Sequence, residues 1–176
     1  MENVITALIV ITLLLAGGLL MTQRHLAAQE ALILSWQAWE AQLEERTRTG
    51  ITPLQSETKS NGSVVELVLE NTGQTKMADF DQWDVIVHYE SVQGPVVDWV
   101  PHEEVAADGD KDEWSVTGVY LEAADLTPEI DDPGIANPGE DVILRLQLHP
   151  PVKVNTTNLA TVATPNGIGA TTVFTR

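Results

Sequence analysis

The chain has no cysteine, which excludes a disulfide framework, thiol catalysis and any cysteine-ligated metal, and leaves the redox compartment open. Basic residues are scarce: nine lysines and arginines stand against 26 acids, for a formal net charge of −17 over 176 residues. Scattered and outnumbered, they exclude a basic patch for nucleic acid or for an anionic membrane surface. The four histidines, His25, His88, His102 and His149, share no metal-site spacing, and the serines and threonines lack any nucleophile-elbow context. An enzyme needs convergent acids, bases or nucleophiles, and no such constellation is legible here.

What the chain has in abundance is apolar sequence at its start. The run from Val4 to Met21, "VITALIVITLLLAGGLLM", is 18 residues long, enough for a helix at the short end of what crosses a bilayer's hydrocarbon core. Three readings compete for it. A secretory signal normally begins with a positive region, and none is present before Thr22. A simple anchor is oriented by its basic flank; the nearest basic residues, Arg24 and Arg46, lie on the C-terminal side, which taken literally places the bulk of the chain in the cytoplasm. The third reading is the mature end of a precursor whose short basic leader has been removed, which accounts for both the missing charges and the apolar start.

The segment Gln23 to Arg48 continues with Ala, Leu, Gln and Glu and contains no Gly or Pro, so it favours helix throughout. Leu32, Trp36, Trp39 and Leu43 form an apolar stripe of helical spacing, with Glu30, Gln37, Glu40 and Glu44 largely off it. One continuous helix over residues 1–50 is predicted, ended by Gly50 and Pro53. At 1.5 Å per residue it is roughly 70 Å long, more than a bilayer needs.

Residues 51–62 are expected to be a polar linker, since "QSETKSNGS" shows no periodicity. Beyond it, over 63–176, the pattern turns to alternation. Val65, Leu67 and Leu69 share one face of a predicted strand, as do Trp83, Val85, Val87 and Tyr89 of a second and Val142, Leu144, Leu146 and Leu148 of a third. Weaker strands are expected at 96–100, 113–121, 159–164 and 170–174. Turn signals such as Gly94-Pro95, Asn137-Pro138-Gly139 and Pro165-Asn166-Gly167 separate them. The predicted fold is α+β: a long N-terminal helix followed by an all-β antiparallel sandwich, immunoglobulin-like, of about seven strands.

The N-terminal helix, the passage "ENTGQTKMADFDQWDVIV" over Glu70–Val87 and the ending "TPNGIGATTVF" over Thr164–Phe174 together resemble archaellins, the filament subunits of the archaeal-type flagellum in the type IV pilin-like superfamily. That resemblance implies a structural, non-enzymatic role in cell motility and a surface localisation. It implies partners as well: the membrane before assembly, a prepilin-type peptidase and an assembly platform, then further copies of the chain in a helical homopolymer. It places the helices in the filament core and the β-domains in its sheath. Val4, Ile5, Leu8, Ile11, Leu14 and Leu15 are then core-packing residues, with Gly17 and Gly18 allowing close approach and Leu32, Trp36, Trp39 and Leu43 continuing the contact. A minor membrane-anchored stator protein of the same machine, an adhesive pilin and a single-anchor binding module are the alternatives.

Two features stand outside this plan. The loop "DGDKDE" sets Asp108, Asp110 and Asp112 at alternate positions, like the first half of a calcium loop, but the glycine expected at position six is Glu113 and the acid expected at position twelve is Val119. No cofactor is required; calcium is the one candidate ion. The sequons at Asn61 and Asn155 are candidate N-glycosylation acceptors in an exported protein.

Overall fold

The computed structural model describes residues 2–104 and 111–176. It divides into two compact units, one ending at Glu44 and the other spanning Glu45–Arg176. Helix α1 (Glu2–Arg48) supplies all of the first unit and contributes its last turn to the second. The helix stops where expected. Thr49 bonds back to Glu45 O through both its N–H at 3.0 Å and its hydroxyl at 2.8 Å, and Arg46 and Arg48 set positive charge at the negative end of the helix dipole.

The second unit is a sandwich of two antiparallel sheets. Its strands are β1 (Ile51–Lys59), β2 (Val64–Asn71), β3 (Asp84–Ser91), β4 (Gly94–Val100), β5 (Glu113–Glu122), β6 (Thr127–Pro128), β7 (Asp141–Gln147), β8 (Thr157–Ala163) and β9 (Gly169–Thr175). One sheet has the order β1-β2-β7-β5-β6 and the other β4-β3-β8-β9. The alternating residues do what their spacing dictates: Leu67, Leu144 and Leu146 from the first sheet meet Val85, Val87 and Tyr89 from the second in one buried cluster. The Tyr89 hydroxyl, which burial holds in its neutral form, donates to Pro150 O at 3.0 Å, so the core contains no polar debt at that position.

The expected linker is a strand. Residues 51–59 pair with β2 from Ile51↔Asn71 to Lys59↔Val64, with an irregularity between Pro53 and Gln55, and 60–62 form a 3-10 turn. The absence of apolar alternation misled because β1 is an edge strand: the backbone ladder to β2 holds it, and most of its side chains meet solvent. Its polar residues also serve the second sheet. Ser56 and Thr58 hydroxyls donate to Val173 O and Thr175 O of β9 at 2.8 Å each, covering edge carbonyls that would otherwise invite intermolecular pairing. With β1 and the two-residue β6 included, the described residues form nine strands, against about seven expected.

The turn after β2 is pinned by Asn71, which is buried. Its Oδ1 accepts the Gly73 N–H at 3.0 Å while its Nδ2 donates to Thr75 O at 2.8 Å and Ala136 O at 2.9 Å. This brings Gly73 against the chain leaving α1, where Gly73 N–H donates to Gly50 O at 3.1 Å and Gln74 N–H to Arg48 O at 2.6 Å. A Cβ on residue 73 would stand 2.5 Å from Gly50 N and 2.6 Å from Arg48 O. Because those atoms are backbone, Gly73→Val is expected to destabilise the head by roughly 1–3 kcal/mol, read as a lower midpoint in chemical denaturation. Deleting Met1–Met21 is expected to leave a soluble chain that retains a cooperative β-sheet melting transition by circular dichroism; a product without that transition would contradict the division into two units.

Candidate interaction surfaces

Along α1 the residues expected to pack a helical core lie in the open. Val4, Ile5, Leu8, Ile11, Leu14 and Leu15 are all exposed, and so are Gly17, Gly18, Leu32 and Leu43. Trp36 is 65% and Trp39 56% exposed. Their rings meet edge-to-face at a centroid separation of 5.9 Å, and with Ser35 they frame an apolar cup of about 250 Å³. Helix α1 is long and apolar enough to cross a membrane. The packing role given to these residues needs molecules other than the single chain.

A second surface lies on the outer face of the four-stranded sheet. With Val85, Val87 and Tyr89 turned inward, β3 presents Asp84, Ile86, His88 and Glu90 outward. Cross-strand register aligns His88 with Val97 on one side and Leu159 on the other, Leu159 with Val173, and Ile86 with Trp99. Val97 (68% exposed), Trp99 (54%), Ile86, Leu159 and Val173 thus form a contiguous apolar band interrupted by His88. Trp99 Nε1 donates to Asp84 Oδ1 at 2.9 Å, tying the indole to β3. The five-stranded sheet's outer face mixes charged residues with exposed Leu54 and Leu126. Lys59 Nζ lies 2.5 Å from Glu66 and 3.3 Å from Glu57, beside a shallow groove of about 430 Å³.

The apolar band escaped the sequence reading, although a signal was present. In "WDVIVHY" Ile86 is apolar at the polar phase of alternation, as Val97 and Trp99 are around Asp98. Such breaks in alternation are invisible until strand pairing sets them side by side.

Several acids among the described residues make local bonds. Asp108 and Asp110 lie outside the described residues. Asp112, the described member of that set, accepts the His149 N–H through Oδ1. Glu140 accepts the Asn137 N–H at 2.7 Å, Asp141 accepts the Ala123 N–H at 2.8 Å, and Asp132 pairs with Lys76 at 2.9 Å. Among the described residues no group of three His, Asp or Glu side chains could hold a metal ion. His102 packs its ring against Trp114 at 4.6 Å, and His88 and His149 are exposed. A pocket of about 300 Å³ near Thr49 contains polar groups that satisfy one another, Asn166 Nδ2 reaching Thr49 Oγ1 at 2.7 Å and Thr49 Oγ1 lying 3.1 Å from Thr75 Oγ1.

Both candidate sequon asparagines are exposed and adopt left-handed backbone, at φ 57° for Asn61 and 58° for Asn155. Their turns are neighbours: Val152 N–H donates to Gly62 O at 2.9 Å and Asn155 N–H to Arg176 O at 2.8 Å. They occupy the end of the sandwich where β1 finishes, opposite the end where it leaves Gly50.

Helix and sandwich together define a membrane-insertable helix carrying a β-sandwich head. No family model and no curated protein matches the chain. Solved structures do. The archaellum periplasmic stator protein complex FlaF and FlaG from Sulfolobus acidocaldarius is similar with a TM-score of 0.51 and 18% identity, over 70% of this chain and 87% of that one. The archaellum periplasmic stator protein FlaG from Sulfolobus acidocaldarius is similar with a TM-score of 0.49 and 20% identity, over 72% of this chain and 99% of that one. At such identity the likeness establishes the sandwich fold. Both are structures of stator proteins, whereas the resemblance read from the sequence was to archaellins.

Burial pushes the Asp112 carboxyl above its ordinary range; the His149 N–H opposes this and the negative charge of Asp98 reinforces it. The folded chain therefore binds this proton more tightly than the unfolded chain does. Its contribution to stability is complete below the unfolded pKa of about 3.9 and is lost as pH rises through the higher folded value. Asp112→Asn keeps an oxygen for His149 and is expected to remove that slope, so the variant gains on the parent as pH increases from ~4 to ~7 in urea denaturation.

Proposed function

We propose that this chain is a membrane-anchored, stator-type component of an archaeal-type flagellum, with α1 in the membrane and the β-sandwich head on the outer side, and with no catalytic activity. The observation that carries the reading is the sandwich's likeness to the FlaF and FlaG stator complex on a chain that begins with a helix able to cross a membrane. A stator must be fixed at two points, in the membrane and against something that does not turn. The helix provides the first. The band of Val97, Trp99, Ile86, Leu159 and Val173 suits the second, because a monomeric soluble domain rarely leaves a contiguous apolar patch of this kind unoccupied.

Fractionation of cells that make the protein tests this reading. The chain is expected in the membrane fraction at low copy, absent from sheared and purified filaments, and its head is expected to be digested by protease added outside. Recovery as the repeating subunit of the filament would instead establish the archaellin reading. Paired substitution Val97→Asp and Leu159→Asp is expected to leave the head folded, at a cost of about 1–2 kcal/mol because aspartate is disfavoured in strands, while abolishing swimming. Unchanged motility in that variant would show that the band is not the attachment surface.

A further inference from the structure

The charged residues of α1 before Arg46 leave four of the seven heptad positions clear. When the helix is numbered in heptads with Leu8 at position a and Ile11 at d, the a and d positions beyond the apolar run include His25, Gln29, Leu32, Trp36, Trp39 and Leu43. Arg24, Glu30, Glu40, Glu44 and Glu45 fall at c, b, e, b and c. Upstream the same register places Val4, Leu8, Ile11, Leu15 and Gly18 on the seam. No a or d position from Val4 to Leu43 carries an acid, a lysine or an arginine, and Leu26 and Ile33 at e widen the apolar stripe.

We propose that α1 is one strand of a parallel, two-stranded coiled coil formed with a second copy of this chain, with its seam continuing from the membrane into the aqueous stalk. A strict seven-residue repeat is what holds two helices together through a left-handed supercoil. Lipid satisfies only the first part of the seam. Beyond Met21 the exposed Leu32, Trp36 and Trp39 need a protein partner, and several observations make that partner an identical helix.

Insertion in one membrane gives two copies the same direction and confines them, so a parallel pairing comes at a raised effective concentration. The g-to-e′ pairs that a second copy supplies are Ala28 with Ile33, Ser35 with Glu40 and Gln42 with Thr47, none of them like-charged despite the acidity of the chain. Thr22, His25 and Gln29 follow one another on the seam as a polar stretch just beyond the apolar run, with the side-chain nitrogens of His25 and Gln29 3.2 Å apart; polar seam positions set register and strand number at a cost in stability. Gly18 at d permits close backbone approach within the bilayer. The cup of about 250 Å³ framed by Trp36, Trp39 and Ser35 offers a hole for a facing side chain. Four tryptophans, each able to bury about 150–250 Å², together with Leu32 and Leu43 from both copies, bring the stalk's share to the order of 1,000 Å², where stable interfaces begin.

This inference needs only that α1 be inserted in a membrane and does not rest on the stator reading. The absence of native cysteine makes the test direct. The full-length chain is reconstituted in phospholipid vesicles with one cysteine at a time and then oxidised. Leu32→Cys, Trp36→Cys and Trp39→Cys are expected to give disulfide-linked dimers several-fold more efficiently than Glu30→Cys, Leu34→Cys and Gln37→Cys. The detergent-corrected mass of the cysteine-free chain is expected to be twice its 19.2 kDa. It should fall to one copy when Trp36→Glu and Trp39→Glu are combined and stay at two in Leu34→Glu, with the head's melting transition retained in both. Cross-linking that is uniform or strongest at 30, 34 and 37, a monomeric parent chain, or an open-ended polymer would each overturn the proposal.

Discussion

The constraint on which the rest depends is the cost of leaving α1 in water. Twelve large hydrophobic residues between Val4 and Met21 are exposed in the single chain. At about 1.5–3 kcal/mol for each such side chain removed from water, the total comes to roughly 20–35 kcal/mol, several times the 5–15 kcal/mol that holds a typical domain folded. No arrangement of the head outweighs that term. The helix must be in lipid or against other protein, and the head must then function wherever the helix has placed it.

The head is built to tolerate that attachment. Its core is closed by its own alternating strands, with Leu67, Leu144 and Leu146 facing Val85, Val87 and Tyr89, and it takes from α1 only the last turn from Glu45 onward. That turn is anchored by backbone hydrogen bonds to the segment after β2, where Gly73 alone allows the approach and Asn71 satisfies the buried polar groups around it. The apolar core of the sandwich and the apolar surface of the helix are therefore separate obligations, met by different means.

The two faces of the sandwich divide the remaining work. On the five-stranded sheet, Lys59, Glu57 and Glu66 form an ion-pair cluster beside exposed Leu54 and Leu126. On the four-stranded sheet the register gathers Trp99, Ile86, Val97, Leu159 and Val173 into one exposed apolar band. The acids account for solubility and for local bonding. Glu140 and Asp141 are buried because each accepts a backbone N–H, which offsets the cost of burying a carboxylate.

The residues by themselves determined the helix, its end at Gly50 and the three strongest strands, because each rests on a period that the backbone imposes over a short stretch: 3.6 residues in Gln23–Arg48, two in Val65–Leu69, Trp83–Tyr89 and Val142–Leu148. A resemblance to archaellins was also legible in them, while the solved structures similar to the chain are those of archaellum stator proteins. Strand β1 was not legible, since an edge strand is held by a ladder to β2 and by Ser56 and Thr58 reaching β9, none of which leaves an apolar pattern. The apolar band was not legible either, since Val97 and Leu159 are 62 positions apart in the chain and meet only because both flank His88. Local periodicity is a property of the chain; adjacency between distant strands is a property of the sheet, and only the tertiary structure could decide it.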